Sequence, residues 1–110
     1  TEVPHGVIYT WSGLLNGDTG NWIEFPEYGD RCAQISGTAG VGLSITMQGT
    51  NNTSLTAFAL TDPQGNAVTK TAVDVGETLM ETPRYIRPSV TAGDGATNVT
   101  VTLFARRTIR

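Results

Sequence analysis

The chain has 110 residues, of which 38% are apolar and only 15% are charged, and its formal net charge is −3. This length suits one domain with a single core, and the low charge excludes the usual disordered class, which combines high net charge with few core-forming residues. The negative balance gives no electrostatic reason to expect nucleic-acid binding, which needs a basic face.

The chain opens with a segment that discourages regular structure. Residues 1–6 include Pro4 and Gly6, and we expect a flexible N-terminal arm there, followed by one β-sandwich domain over residues 7–110. Short runs rich in β-branched and aromatic residues follow, separated by Gly- or Pro-containing stretches that are typical of turns. The first three strand candidates are residues 7–12, 21–25 and 31–36.

The middle of the chain continues the same pattern. Residues 43–48 alternate strictly between apolar and polar side chains, which predicts a strand with one buried face and one wet face. Asp62-Pro-Gln-Gly65 is a strong turn signal, with Pro at the second position and Gly at the fourth. Residues 75–81 could instead form one short turn of helix, although such a turn is too brief to be stable alone. The other strand candidates in this region are residues 55–60, 67–70 and 73–80.

The last third predicts two strands, residues 85–91 and 98–105, joined as a hairpin by Gly93-Asp-Gly95. In the second strand, Val99, Val101 and Leu103 line one face. Two exceptions interrupt the pattern. Pro88 indicates that its strand lies at a sheet edge or carries a bulge, because proline cannot donate a ladder hydrogen bond. Phe104 stands on the otherwise polar face, so we expect that face to be covered as well, either by the margin of the other sheet or by a neighbouring subunit.

These elements together predict the fold class. Seven to nine short strands spaced by roughly ten residues, without a convincing amphipathic helix, indicate an all-β protein. We expect a single antiparallel β-sandwich that is jelly-roll-like.

Residue types that could carry chemistry are sparse. Cys32 is the only cysteine and His5 the only histidine; a lone cysteine is usually a small buried hydrophobe, and a catalytic thiol would need a histidine partner. Asp18-Thr19-Gly20 matches the triplet of aspartic proteases, but it follows an Asn-Gly turn signal and reads more simply as a hairpin turn. We therefore expect no enzyme activity, no catalytic or metal site and no cofactor.

Acidic residues cluster at two places, Glu24/Glu27/Asp30 and Glu77/Glu81. Paired carboxylates can serve a glycosidase, but in loops they are more often solvated surface. Asp62 and Asp94 stand beside Pro or Gly, where aspartate favours turns by bonding its own backbone.

Aromatic and basic residues leave two interpretations open. Five aromatic residues could form a platform that stacks on sugar rings: Trp11, Trp22, Tyr9, Tyr28 and Tyr85. The two Trp residues could instead be core or interface residues, as Trp usually is in a small sandwich. The arginines could pair with carboxylates across an interface or lie at a solvated sheet margin. The arginines concerned are Arg84, Arg87, Arg106 and Arg107.

Four segments give the chain a family resemblance. Gln48-Gly-Thr-Asn-Asn52, Leu60-Thr-Asp-Pro-Gln-Gly-Asn-Ala67, Thr82-Pro-Arg-Tyr-Ile-Arg-Pro-Ser-Val90 and Val99-Thr-Val-Thr-Leu-Phe-Ala-Arg-Arg107 resemble small virion proteins of tailed bacteriophages. The resemblance covers most of residues 11–107, and its motifs are structural turns and strands. It implies a head decoration (cement) protein, an all-β module that binds the outer capsid surface, commonly as a trimer.

From this resemblance we expect the partners to be the major capsid protein and other copies of the chain in a homotrimer, with no nucleic acid and no membrane. We expect synthesis in the host cytoplasm and a final place on the capsid exterior of the virion. A carbohydrate-binding or structural module of a tail fibre or baseplate is the alternative. The candidate capsid or subunit interface residues are Val7, Ile8, Trp22, Arg84, Arg87, Phe104, Arg106 and Arg107.

Overall fold

A computed structural model describes residues 2–3, 6–24, 30–81 and 83–106. Within these ranges the chain forms ten β-strands and no helix. The strands are β1 (Glu2–Val3), β2 (Gly6–Leu14), β3 (Ile23–Glu24), β4 (Asp30–Thr38), β5 (Ser44–Thr50), β6 (Phe58–Ala59), β7 (Thr69–Lys70), β8 (Val75–Leu79), β9 (Tyr85–Ala92) and β10 (Asn98–Arg106). The segment that could have formed a helical turn is therefore the strand β8.

The strands form two antiparallel sheets that pack into a sandwich. The first sheet has the order β1-β2-β10-β4-β8, and the second has the order β3-β9-β5-β6, with β7 also paired to β5. Consecutive strands from β2 to β5, and again from β8 to β10, alternate between the two sheets. This alternation of long antiparallel strands is the topology of a jelly roll. The prediction of an all-β, jelly-roll-like sandwich is confirmed.

The predicted closing hairpin is wrong in its pairing. β9 belongs to the second sheet and pairs with β5 and β3, whereas β10 belongs to the first sheet and pairs with β2 and β4. The turn between them therefore crosses from one sheet to the other. The physical reason is that the buried face of each strand packs against the opposite sheet, so the two strands face each other across the core.

Pro88 is tolerated in β9 because its nitrogen, which has no hydrogen to donate, lies on the side of the strand that faces away from β5. β9 lies between β3 and β5, so it is not an edge strand, but its register shifts by one residue near Thr91. The carbonyl oxygen of Pro88 accepts a 2.9 Å hydrogen bond from the Gly20 N–H. The proline nitrogen points to the same side, toward the irregular segment before β3. The ladder to β5 therefore loses no hydrogen bond at Pro88, and its irregularity lies near Thr91 instead.

The core lies between the sheets and is built by the alternation seen in the sequence. Val99, Val101 and Leu103 are fully buried, as predicted, and Trp11 is buried with its indole Nε1 donating to the Asn21 carbonyl oxygen at 2.9 Å. The buried apolar side chains are Trp11, Leu14, Ile23, Ala33, Ile35, Leu43, Ile45, Met47, Leu60, Val68, Leu79, Ile86, Val90, Val99, Val101, Leu103 and Ala105.

Cys32 is not the buried hydrophobe that a lone cysteine usually is. Arg31, Ala33 and Ile35 point inward from β4, so Cys32 points outward and is exposed. Arg31 is only 2% exposed, and its guanidinium Nη1 donates to the Pro83 carbonyl oxygen at 3.4 Å. Burial lowers the pKa of this guanidinium. Side chains alternate between the two faces of a strand, so the position of Arg31 and Cys32 along β4 determines which one is buried, even though cysteine is usually buried more often than arginine.

The expected N-terminal arm falls partly outside the described residues, which omit positions 1, 4 and 5. In the described part, Glu2 pairs with Val7 and Val3 with Gly6. Val7 and Ile8 lie in β2 and pair on its other side with Ala105 and Phe104. β1 is thus the outermost strand of the first sheet.

Candidate interaction surfaces

Several carboxylates that could have carried chemistry form structural contacts in the described chain, and His5 lies outside it. Asp18 is exposed, and its Oδ2 accepts the Leu15 N–H at 2.8 Å, which closes a surface turn. The Val90 N–H donates to the Asp18 carbonyl oxygen at 2.8 Å, so the protease-like triplet runs along β9. No group of three or more His, Cys, Asp or Glu residues among the described positions could hold a metal ion. Nor do these positions include a helix that could cross a membrane.

Glu77 and Glu81, which the sequence groups together, bind different partners; Glu27 of the other acidic group lies outside the described residues. Glu77 forms a 3.0 Å salt bridge with Lys70, which links β8 of the first sheet to β7 of the second. Glu81 accepts hydrogen bonds from both the backbone N–H and the hydroxyl of Thr61. Burial raises the pKa of Glu81, but the Thr61 hydrogen bonds outweigh it, so the pKa lies below its ordinary value. Both carboxylates therefore act as cross-links.

Asp94 joins two loops at one end of the sandwich. Its Oδ2 accepts the Val41 N–H and its Oδ1 the Ala96 N–H, both at 2.9 Å. These bonds hold the pKa of Asp94 below its ordinary value. Thr97 is buried beside it and donates to the Ala39 carbonyl oxygen at 2.8 Å. Gly40 has a φ of +70°, and a Cβ there would stand 2.2 Å from the Asp94 Oδ1.

The outer face of the second sheet carries a cluster of aromatic and arginine side chains. We call this cluster the aromatic–arginine surface. The local register builds it, because Ile23 pairs with Ile86 on the core side and so Trp22 and Arg87 share the outer side. β5 adds Gln48, which pairs with Arg87. Its members are Trp22, Glu24, Gln48, Arg84, Tyr85 and Arg87.

The centre of the aromatic–arginine surface is a stack of Arg87 on Trp22. The guanidinium carbon of Arg87 lies 4.1 Å from the centroid of the Trp22 ring, which is a close cation–π contact. The Nε of Arg87 donates to Gln48 Oε1 at 3.0 Å. Trp22 also meets the Tyr85 ring edge-on, with centroids 6.4 Å apart. Two side chains, Trp22 beside β3 and Gln48 of β5, therefore hold this arginine, and Tyr85 supports the Trp22 ring.

Arg84 occupies the rim of the same surface. Its guanidinium carbon lies 5.2 Å from the Tyr85 ring centroid, and its Nε donates to Glu24 Oε2. This hydrogen bond and the attraction of the Glu24 charge raise the pKa of Arg84 above its ordinary value. Asn51 accepts the backbone N–H of Arg84 at 3.0 Å. Arg84 is thus already neutralised within the chain.

The outer face of the first sheet has the opposite character. Phe104 of β10 pairs with Ile8 on one side and Cys32 on the other, and Thr102 pairs with Thr10 and Gln34. None of these side chains is charged, so we call them the uncharged face. Its members are Ile8, Thr10, Cys32, Gln34, Ser36, Thr78, Thr100, Thr102 and Phe104. The nearest ion pair, Arg106 with Asp30 at 2.9 Å, lies at its margin.

The ring of Phe104 is held against the backbone of β2. A Cβ at Gly6 would stand 2.9 Å from the Phe104 Cε1 and 2.5 Å from the Ala105 carbonyl oxygen. Only glycine lets the ring approach this closely, and an aromatic ring over a cross-strand glycine shields a weak point of a sheet. The ring of Phe104 thus covers Gly6, and the outer face of this sheet keeps Phe104 partly exposed.

The structure divides the interface candidates between two surfaces. Trp22, Arg84 and Arg87 come together on the second sheet. Ile8, Phe104 and Arg106 come together on the first sheet, with Val7 on the inner side of β2. Arg107 lies outside the described residues. Sequence reasoning missed Gln48 and Thr102, although the alternation along β5 and β10 already placed both on outward faces.

Comparison with known proteins supports the fold. No protein-family model matches the chain, and no curated protein sequence matches it either. In structure the chain is similar to the SPBc2 prophage-derived protein YomS, with a TM-score of 0.63 and 12% sequence identity. This similarity covers 96% of the chain and 97% of YomS. At such low identity, the similarity shows that the two share a fold.

Proposed function

We propose that the chain is a bacteriophage virion protein of the head decoration (cement) type, which binds the outer capsid surface and stabilises the shell. The observation that carries the proposal is the similarity in fold to a prophage-derived protein over nearly the whole length of both chains. The sequence resemblance to small phage virion proteins supports the same conclusion. The described side chains add two outward surfaces whose composition suits protein contacts.

The proposed mechanism is multivalent attachment. A cement protein stiffens a shell by bridging neighbouring capsid subunits, and a symmetric trimer converts three weak contacts into strong avidity. Copies with a net charge of −3 repel one another. We assign the contact between copies to the uncharged face, where no like charges would meet. The aromatic–arginine surface then remains available for the capsid.

The N-terminal segment is part of this proposal. β1 lies at the outer edge of the first sheet, and an edge strand can pair with a strand of another protein. Residues 6–8 already pair with β1 and β10 on both sides, so we propose that β1 (Glu2–Val3) pairs through its outer edge with an edge strand of the capsid protein. Deletion of residues 1–6 should lower the occupancy of the chain on undecorated capsids, and unchanged occupancy would remove the segment from the mechanism.

Cryo-electron microscopy of the intact virion tests the proposal directly. The expected result is density for the sandwich on the outside of the head, at positions shared by several capsid subunits. Recombinant chain added to heads that lack it should restore that density and raise the temperature at which the heads open. Density at the tail tip, or no density on the head, would refute a cement role.

The alternative is a carbohydrate-binding or structural module of a tail fibre or baseplate. Trp22 and Tyr85 on one outer face favour it, because aromatic rings stack on sugars. Against it, Trp11 is buried, and the guanidinium of Arg87 already covers the Trp22 ring. A glycan array with wild type and Trp22→Ala separates the two functions, since specific binding that Trp22→Ala abolishes would support the module.

A further inference from the structure

Arg87 differs from the other basic side chains that the structure describes. Lys70, Arg84 and Arg106 each form a salt bridge with a carboxylate of the chain. Arg31 is buried and bonded to a backbone carbonyl. Arg87 is half-buried on the outer face of β9, and no carboxylate of the described residues contacts it. Among the described residues, no carboxylate therefore compensates the charge of Arg87.

The guanidinium of Arg87 is also held in a fixed position. Trp22 supports one of its faces, and Gln48 accepts the hydrogen bond from its Nε. These contacts leave the terminal Nη groups without an acceptor among the described residues. An arginine that is already ordered loses less conformational entropy when it binds, and its planar fork matches the two oxygens of a carboxylate. The site is built to receive an anion.

The surroundings of Arg87 favour a protein carboxylate over a polyanion. Glu24 lies on the same surface, and the chain as a whole is negative, so a nucleic acid would meet repulsion on approach. Trp22 and Tyr85 frame the arginine, and Trp, Tyr and Arg are the side chains that dominate protein–protein hot spots. A guanidinium that no carboxylate of the described residues pairs with, beside two aromatic rings, matches one acidic side chain of a protein partner.

We propose that Arg87, stacked on Trp22 and fixed by Gln48, is the anchor that binds an Asp or Glu carboxylate on the outer surface of the capsid protein. This inference rests on the proposed function, for which it names the binding surface and the chemistry of the partner. The bound carboxylate accepts two parallel hydrogen bonds from the Nη groups. The rings exclude water around the pair and thereby strengthen it.

Binding to undecorated heads tests the anchor. We expect Arg87→Ala to weaken binding by roughly tenfold or more, and Arg87→Lys to weaken it less because a point charge remains without the fork. Lys70→Gln is the matched control, since it removes one positive charge at β7 and should bind as wild type does. Wild-type affinity in a folded Arg87→Ala variant would overturn the anchor while leaving the cement function intact.

A second measurement does not depend on heads. The ¹⁵N–¹H signals of Arg87 Nε and Trp22 Nε1 are followed while wild-type chain is titrated with a capped Glu-rich hexapeptide, its Gln-rich counterpart or a single-stranded oligonucleotide. We expect the acidic peptide alone to shift these two signals. If the acidic peptide shifts these signals but the chain does not bind heads, the carboxylate site is supported and the cement function is refuted. An absence of shifts, or equal shifts with the oligonucleotide, would overturn the site.

Discussion

Two aspartates that look alike in the sequence hold their turns through different oxygens. Asp62 uses Oδ1 alone to accept the N–H groups of Gln64 and Asn66, both at 3.0 Å. Asp94 instead uses both oxygens: Oδ2 accepts the Val41 N–H, and Oδ1 accepts the Ala96 N–H. An asparagine side chain has one acceptor oxygen, so it can replace the first aspartate but not the second.

We therefore expect Asp94→Asn to lower the melting temperature at neutral pH and Asp62→Asn to leave it nearly unchanged. In Asp94→Asn the amide NH₂ would face either the Val41 or the Ala96 N–H donor, so one of the two backbone hydrogen bonds that Asp94 accepts would be lost. Thermal unfolding followed by circular dichroism measures both variants. Equal melting temperatures for the two variants would contradict the assignment of the cross-loop bonds.

The acid dependence of stability follows from the same carboxylate. Hydrogen bonds from Val41 and Ala96 hold the pKa of folded Asp94 below its ordinary value of 3.8. A depressed folded pKa stabilises the native state above 3.8, and this stabilisation is lost as the pH falls through the folded pKa. The difference in melting temperature between wild type and Asp94→Asn should thus be largest near neutral pH and shrink below pH 3.8. A constant difference across that range would exclude the linkage.

At the scale of elements, β10 is the strand whose two faces differ most. Leu103 is fully buried, whereas Thr100 lies on the uncharged face of the same strand. We expect Leu103→Ala to lower the free energy of unfolding by about 2 to 5 kcal/mol, because it removes buried apolar volume and leaves a cavity. Thr100→Ala should stay within about 0.5 kcal/mol, as an outward substitution does.

Urea unfolding at one fixed protein concentration measures both β10 variants, with equal slopes indicating that only stability has changed. A larger loss in Thr100→Ala than in Leu103→Ala would mean that the register of β10 is shifted by one residue. Such a slip would carry every side chain of the strand to the other face.

The alternation in β10 shows what the sequence can determine about an element. Strand positions and inward faces depend on neighbours within a few residues, so they were predictable, including Val99 and Leu103. The partner of a strand depends on residues far away. The β9–β10 turn is tied by Asp94 to Val41, 53 positions earlier, and no local signal distinguishes this crossing from a hairpin.

At the scale of the whole molecule, the candidate site also depends on contacts between residues that are far apart in the sequence, and such contacts could not be predicted. Residue types identified Trp22 and Arg87 as interface candidates, because Trp and Arg are common in protein contacts. Their stacking could not be predicted, since it depends on the pairing of β3 with β9, whose residues Ile23 and Ile86 are far apart in the chain. For the same reason, the division of the candidates between two opposite faces became visible only in the folded molecule.

The assembly state is the property that the two faces determine together. If copies meet through the uncharged face, we expect wild type to sediment with three times the 11.7 kDa mass of one chain. Thr102→Glu places a charge in the middle of that face and should give single chains with an unchanged circular dichroism spectrum, because an unpaired charge is costly to bury at an interface.

Gln64→Glu is the control for the assembly prediction, since it adds the same charge at an exposed turn and should remain a trimer. Analytical ultracentrifugation at several salt concentrations compares the three proteins. A trimer that persists in Thr102→Glu would mean that the copies meet through another surface. A monomeric wild type would mean that the chain does not trimerise by itself, so that only the repeated sites of the capsid could supply avidity. Because each copy carries a charge of −3, a trimer should dissociate more readily as salt is lowered, when repulsion between copies is least screened.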